Sequence, residues 1–262
     1  MASRRGQESP RKWRFCALGS QLTPLSSLVA GSPRLARPWL VLVAVGLGAA
    51  LILCSCAPAS NGIEKDSGKE ILEAAGAALG SARSFEIRAA STVNSSPASI
   101  TFEIEGPHRG GGTFASATVA FQAEELGGVD YFRSKTLWRQ VGGASLQADL
   151  GDRWVFIAAT SPTAAELTLA FGELTSAHGL AGELTKGDAT AVRGKADPLA
   201  GRPAVAVHEP PAETFYVATT GRPYPLRWVQ STAGYVNFSD FGKNFHLKAP
   251  HKPLNLAAIL GR

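Results

Sequence analysis

The chain has 262 residues, 45% of them hydrophobic and 18% charged, and a formal net charge of +5. Seven Lys or Arg and one acid, Glu8, precede Cys56, which leaves 19 basic and 20 acidic residues from Cys56 onward. The downstream part is therefore near neutral, and it lacks the electrostatic footprint of a nucleic-acid binder. Residues 1–38 are polar, contain Pro and Ser, and show no sustained helical or strand period. They read as a disordered cytoplasmic n-region, or as residues upstream of the true start. Arg4-Arg5 is a weak twin-arginine echo, far from the apolar run that follows. That run, Trp39 to Leu53, is shorter than the roughly 20 residues of a membrane span. It fits the apolar region of an export signal, with Arg34 and Arg37 as its basic flank.

Leu53-Cys54-Ser55-Cys56 follows at once, and then the small and polar stretch Ala57-Pro58-Ala59-Ser60-Asn61-Gly62. The four residues resemble the lipobox of bacterial lipoproteins. That resemblance implies that the cysteine sulfur is diacylated, the bond before it cut, and the new N-terminus acylated. Cys56 is the expected lipidation site and Ser55-Cys56 the expected cleavage point, because Ser55 is small and Leu53 lies three residues back. Cys54 would place bulky Leu53 at the cleaved bond. An uncleaved signal anchor is the alternative. Cys16, Cys54 and Cys56 are the three cysteines, so the domain after Cys56 is expected to hold no disulfide and no cysteine metal ligand.

From Cys56 to Arg262 there are 207 residues, enough for one domain with a real core. Residues 56–66 read as a flexible tether and residues 67–262 as the folded domain. Ser67-x-x-Glu70 has the form of a capping box, and Ile71, Leu72, Ala75, Ala78 and Leu79 recur at helical spacing up to Gly80-Ser81. From Phe85 the period becomes two. Phe85 to Val93, Ile100 to Ile104, Phe114 to Gln122, Val129 to Ser134, Leu137 to Val141 and Arg153 to Ile157 all read as strands. Gly110-Gly111-Gly112 is expected in a loop, and Glu124-Glu125 in a solvated turn. Ser161-Pro162 opens a stretch up to Leu180 that reads as one or two short helices. Strands resume over 190–194, 204–208, 214–218, 226–230 and 235–239, and Asn244 to Lys248 is expected to close the sheet.

Alternating strands with one buried face predict a single large curved antiparallel sheet. Gly221 suits a hairpin with positive φ, Pro223 and Pro225 hold Tyr224 extended, and Asp240 and Gly242 suit a turn. The segments Gly201-Arg202-Pro203-Ala204-Val205, Phe215 to Leu226, Val236 to Lys243, Ala249-Pro250, Val129-Asp130-Tyr131-Phe132 and Asp152-Arg153-Trp154-Val155 resemble actinobacterial envelope lipoproteins of the LppX/LprG type. The resemblance implies an α+β fold similar to the carriers LolA and LolB: an open antiparallel half-barrel with helices across its concave face. It also implies an apolar gap between sheet and helices that takes lipid acyl chains.

No catalytic constellation stands out. His108, His178, His208, His246 and His251 are scattered, no nucleophile elbow or S-x-x-K is present, and no metal or cofactor is expected. Trp138, Trp154, Phe156 and Trp228 are expected to fill the core. The many Ala, Ser, Thr and Val residues between Phe114 and Ala120 leave room for an apolar void over the sheet. The expected function is therefore a non-enzymatic lipoprotein, anchored on the extracytoplasmic face of the cell membrane. It would bind or transfer an acylated lipid or glycolipid. The alternative is a structural or protein-interaction lipoprotein of the same fold with a closed interior. No ligand-contacting residue is assigned from the sequence.

Overall fold

The computed structural model describes residues 59–93, 96–158, 180–182, 184, 190–230 and 234–260. The expected signal, the lipobox with Cys56, and nearly all of the expected helical stretch 162–180 lie outside the described residues. Helix α1 (Gly68–Gly80) is opened by Ser67, whose side chain accepts from the Glu70 N–H while the Glu70 carboxylate accepts from the Ser67 N–H. This is the predicted capping box, and it satisfies two amides at the helix start. Ile71, Leu72, Ala75, Ala78 and Leu79 line its buried face. Each large side chain there contributes about 1.5–3 kcal/mol by leaving water.

Among the described residues twelve strands form one sheet. In chain order they are β1 (Ser84–Val93), β2 (Ser96–Glu105), β3 (Arg109–Ser116), β4 (Ala120–Leu126), β5 (Val129–Arg133), β6 (Trp154–Ala158), β7 (Val192–Ala196), β8 (Ala204–Glu209), β9 (Glu213–Ala218), β10 (Pro225–Gln230), β11 (Gly234–Ser239) and β12 (Leu254–Asn255). Their spatial order is β12-β6-β5-β4-β3-β2-β1-β11-β10-β9-β8-β7, so the sheet is open, with β12 and β7 at its edges. Among the described residues every strand pairing is antiparallel except β12 with β6, which is parallel. The fold is α+β, a large curved sheet that does not close, as expected.

Four expectations are corrected. Phe114 to Gln122 is not one strand but the end of β3, a turn at Ala117–Val119 and the start of β4. Ser116 makes that turn in place of a glycine: its N–H donates to the Val119 carbonyl, and its Oγ accepts from the Val119 N–H at 3.2 Å. Gly110-Gly111-Gly112 is not a loop but the first half of β3. A Cβ at Gly112 would sit 1.9 Å from the Thr101 carbonyl oxygen, so only glycine lets β3 approach β2 this closely.

Leu137 to Val141 is helical. Helix α2 (Leu137–Leu150) buries Leu137, Trp138, Leu146 and Leu150 and is kinked at Gly142–Gly143. Ser134 prepares its start, its Oγ accepting from the N–H groups of Thr136 and Leu137. Finally, Asn244 to Lys248 is not a strand. It runs as a strap in which the Phe245 and His246 amides donate to Glu105 Oε1, and His246 has φ +56°. Strap and tail continue to β12 and helix α3 (Leu256–Leu260).

Residues 59–66, expected to be a free tether, are docked. Ser60 bridges to Thr220, the Asn61 N–H donates to the Thr219 carbonyl at 2.8 Å, and Asn61 Nδ2 donates to the carbonyls of Ala218 and Gly221. Ile63 then joins the core. The turn that receives this segment has Gly221 at φ +67° and leads into Tyr224, stacked on Phe241 at 3.9 Å. The predicted turn at Asp240 and Gly242 is present, both at positive φ.

Candidate functional site

The strand register places two apolar rows side by side on the face of the sheet that holds the core. The first runs Phe238, Ile87, Phe102, Gly112, Ala123, Phe132 and Val155, each paired with the next across neighbouring strands or through the shared bulge-free ladder. Its hydrophobic members are all buried, and Ile87, Phe102 and Val155 are at most 1% exposed.

The second row lies two residues further along each strand. Trp228 pairs with Val236, Val236 with Ala89, Ala89 with Ile100, Ile100 with Phe114, and Phe114 with Phe121. Six strands at about 4.8 Å spacing make this row roughly 24 Å long. Ile100 and Phe121 are buried, but Trp228, Val236, Ala89 and Phe114 are only partly buried. Aromatic contacts stiffen both ends. Phe114 stacks on Phe121 at 5.0 Å, and Trp228 stacks on Phe215 at 5.4 Å while its Nε1 donates to Glu213. The outcome is an apolar strip that the protein's own side chains leave partly uncovered.

Trp138 adds a polar element to this interior. It is fully buried in α2, yet its indole N–H has no acceptor among the described residues. A buried donor without an acceptor costs about 1–3 kcal/mol. Of the other aromatics expected in the core, Trp228 is partly buried in the second row, and Trp154 and Phe156 are partly buried on β6. Of the small residues between Phe114 and Ala120, expected to open a void over the sheet, Ala117 to Val119 form the β3–β4 turn, while Ala115 lines a cleft beside it with Ala120.

A cleft of about 600 Å³ lies at that end of the sheet, lined by Phe114 and Phe121 of the second row together with Ala115, Ala120, Arg133 and Asp152. The register sets Thr113 beside Gln122 and Gln122 beside Arg133, so the cleft takes polar side chains from these strands as well as Phe114 and Phe121. Arg133 is tied to Asp152 at 3.1 Å, so the cleft's charge is largely paired.

Titratable residues meet where β1 starts and β2 ends: Glu86 pairs with Glu103 across the strands, Arg88 is tied to Glu86, and burial, with the Glu86 charge beside it, lifts the Glu103 carboxyl above its ordinary range. Glu124 and Glu125 lie in β4 rather than in a solvated turn, and they point to opposite faces. Burial pushes the Glu124 carboxyl above its ordinary range, and its Oε2 is buried with no partner among the described residues. Glu125 meets His108 at 3.4 Å. His208 faces the Thr214 hydroxyl, His246 and His251 are exposed, and His178 lies outside the described residues. Among the described residues no three His, Cys, Asp or Glu gather as metal ligands, and no helix is long and apolar enough to cross a membrane.

No protein-family model and no curated protein matches this chain. Solved structures do. LprF from Mycobacterium bovis is 12% identical with a TM-score of 0.49, covering 71% of this chain and 97% of that one. Lipoprotein LppX from Mycobacterium tuberculosis is 12% identical with a TM-score of 0.42, covering 69% and 98%. An uncharacterized conserved protein from Thermus thermophilus is 8% identical with a TM-score of 0.37.

Proposed function

We propose that this chain is a membrane-anchored envelope lipoprotein that binds or carries an acylated lipid along the second apolar row. The observation that carries this reading is the row itself. An apolar strip of about 24 Å is longer than one leaflet's share, about 15 Å, of a hydrocarbon core. Its partly buried members Trp228, Val236, Ala89 and Phe114 lose water only if something apolar lies on them. The gain is burial alone, about 0.8 kcal/mol per CH₂, so no covalent chemistry and no catalytic group is required. The Trp138 N–H has no acceptor among the described residues of this interior, which suits it to an ester carbonyl of such a ligand.

Anchoring follows from Cys56, cleaved after Ser55 and acylated, which would hold the domain on the extracytoplasmic face of the cell membrane. Two acyl chains suffice for stable attachment. Cys56→Ser should abolish lipid attachment and leave an uncleaved, larger precursor on a gel. Cys54→Ala should process normally. The reverse pattern would move the anchor to Cys54, and no effect from either would remove it.

For the cargo, the full chain is extracted from its own membrane and examined by native mass spectrometry. Copurifying lipid at near one molecule per chain is expected. Repeated recovery of empty protein points instead to a structural or interaction lipoprotein, the reading favoured by the fully packed first row.

A further inference from the structure

Three buried side-chain polar atoms have no partner among the described residues. Two are carboxylate oxygens of half-buried glutamates, Glu64 and Glu124. The third, Trp138 Nε1, is a different case. Its residue is fully buried and belongs to the main core cluster, and an indole nitrogen can only donate. Buried donors are nearly always satisfied, so this one calls for an acceptor.

The place of Trp138 in the fold narrows what that acceptor is. The start of α2 is tied to the start of β4: Thr136 Oγ1 accepts from the Ala120 N–H at 2.9 Å, and Ser134 Oγ donates to the Ala120 carbonyl at 2.6 Å. Trp138 follows two residues later, and long helical side chains lean toward the helix N-terminus. Its ring is thus carried toward the Phe121 end of the open row. The groups at this junction are already full. The Ala120 carbonyl takes Thr136 Oγ1 as well as Ser134 Oγ, and Ser134 Oγ takes the N–H groups of Thr136 and Leu137, one for each lone pair.

The other end of the row is finished differently, since Trp228 Nε1 donates to Glu213 at 3.0 Å. The row therefore has a satisfied indole at one end and an unsatisfied one at the other. At the unsatisfied end the apolar strip also gives way to polar groups, because Phe114 and Phe121 line the same cleft as Gln122, Arg133 and Asp152.

We propose that Trp138 determines the specificity of the cargo site: its N–H donates to the ester carbonyl of an acyl lipid and selects ester-linked over ether-linked lipids. This rests on reading the open row as the cargo site. An ester carbonyl accepts a hydrogen bond, brings no donor of its own, and stands where an acyl chain meets its polar head. A dialkyl ether lipid of the same length offers no carbonyl. A carboxylate would bring a charge into the interior, and an amide or alcohol a second donor to satisfy. With the carbonyl at Phe121, the chain runs past Ile100 and Ala89 toward Trp228.

The test is a competition on the full-length chain. It is equilibrated in detergent micelles that carry equal amounts of dipalmitoyl phosphatidylcholine and its dihexadecyl ether analogue. The bound lipids are then weighed by native mass spectrometry. Ester lipid should exceed ether lipid about tenfold on the wild-type chain, and Trp138→Phe should bring the two to parity. Phe leaves a gap where the indole was, so a second variant keeps the shape: benzothienylalanine at position 138 puts sulfur in place of the N–H. It should also bind both lipids equally, and in lipid-free protein it should unfold no earlier than the wild type, which has no bond there to lose.

Equal binding of the two lipids by the wild type, or a preference that survives the sulfur variant, overturns the inference while leaving the cargo site intact. Earlier unfolding of the lipid-free sulfur variant overturns it too, because the N–H would then be bonded within the protein. Binding of neither lipid overturns the cargo site and the inference together.

Discussion

The two apolar rows of the sheet share strands, residue types and a face, yet they are finished differently. The row through Ile87, Phe102, Ala123 and Phe132 is sealed, whereas the row through Ala89, Phe114, Val236 and Trp228 is left partly open. The sealed row is where the protein gains stability. In the open row the protein forgoes burial that it could have had. A protein interior is ordinarily packed to the density of an organic crystal, and this difference is what the proposed cargo site rests on.

The largest effect expected is on the sealed row. Phe102→Ala should cost about 3–5 kcal/mol in denaturant unfolding. Phe114→Ala, on the open row, should cost only about 1–2 kcal/mol, because less of the ring leaves the interior. Equal costs would erase the distinction between the rows.

The docked segment belongs to the sealed part of the molecule, since Ile63 joins the same core. Asn61→Ala removes the two hydrogen bonds from Asn61 Nδ2 to the Ala218 and Gly221 carbonyls, and the one its Oδ1 accepts from the Ile63 N–H. Destabilisation of about 1–2 kcal/mol is expected, read as faster hydrogen exchange at the amides of residues 219–222. Unchanged exchange there would mean that the segment rests on the turn without holding it.

Ala89→Trp sharpens the comparison most. A bulky ring in the open row should change stability by less than about 1.5 kcal/mol and yet lower the copurifying lipid severalfold. A large loss of stability with lipid content intact would make the open row ordinary core.

The smallest effect concerns Glu124, on the opposite face of β4. Its carboxyl lies above the ordinary value of 4.5 because burial disfavours the charge. A group raised in this way adds stability below the unfolded-state value, and that stability is lost as pH rises through the folded value. Glu124→Gln should therefore raise stability at pH 7 by a few tenths of a kcal/mol and flatten its fall between mildly acidic and neutral pH. A loss of stability at pH 7 would show that the charged carboxylate has a partner.

Much of this fold was legible in the sequence, because local signals and burial agree there. Ser67 and Glu70 announced α1, and the alternation of Phe85, Ile87 and Ala89 against Ile100, Phe102 and Ile104 announced the central pair. Three elements were hidden by chemistry that mimics another element. The β3–β4 turn uses Ser116 where a glycine would have signalled it. The first turn of α2, Leu137 to Val141, alternates like a strand, and Gly142-Gly143 cuts its helical period short. The strap alternates Phe245 with Leu247, but His246 at φ +56° breaks the ladder. The open row was not legible at all. Ala89, Phe114, Val236 and Trp228 meet only through pairing across several strands, and no spacing within any one strand records it.

The most direct measurement of the central claim is photocrosslinking with a diazirine-bearing fatty acid, followed by peptide mapping of the adducts. The account predicts adducts on the peptides that carry Ala89, Phe114, Val236 and Trp228, and their loss in Ala89→Trp. Adducts confined to other surfaces, or unchanged in Ala89→Trp, would contradict it.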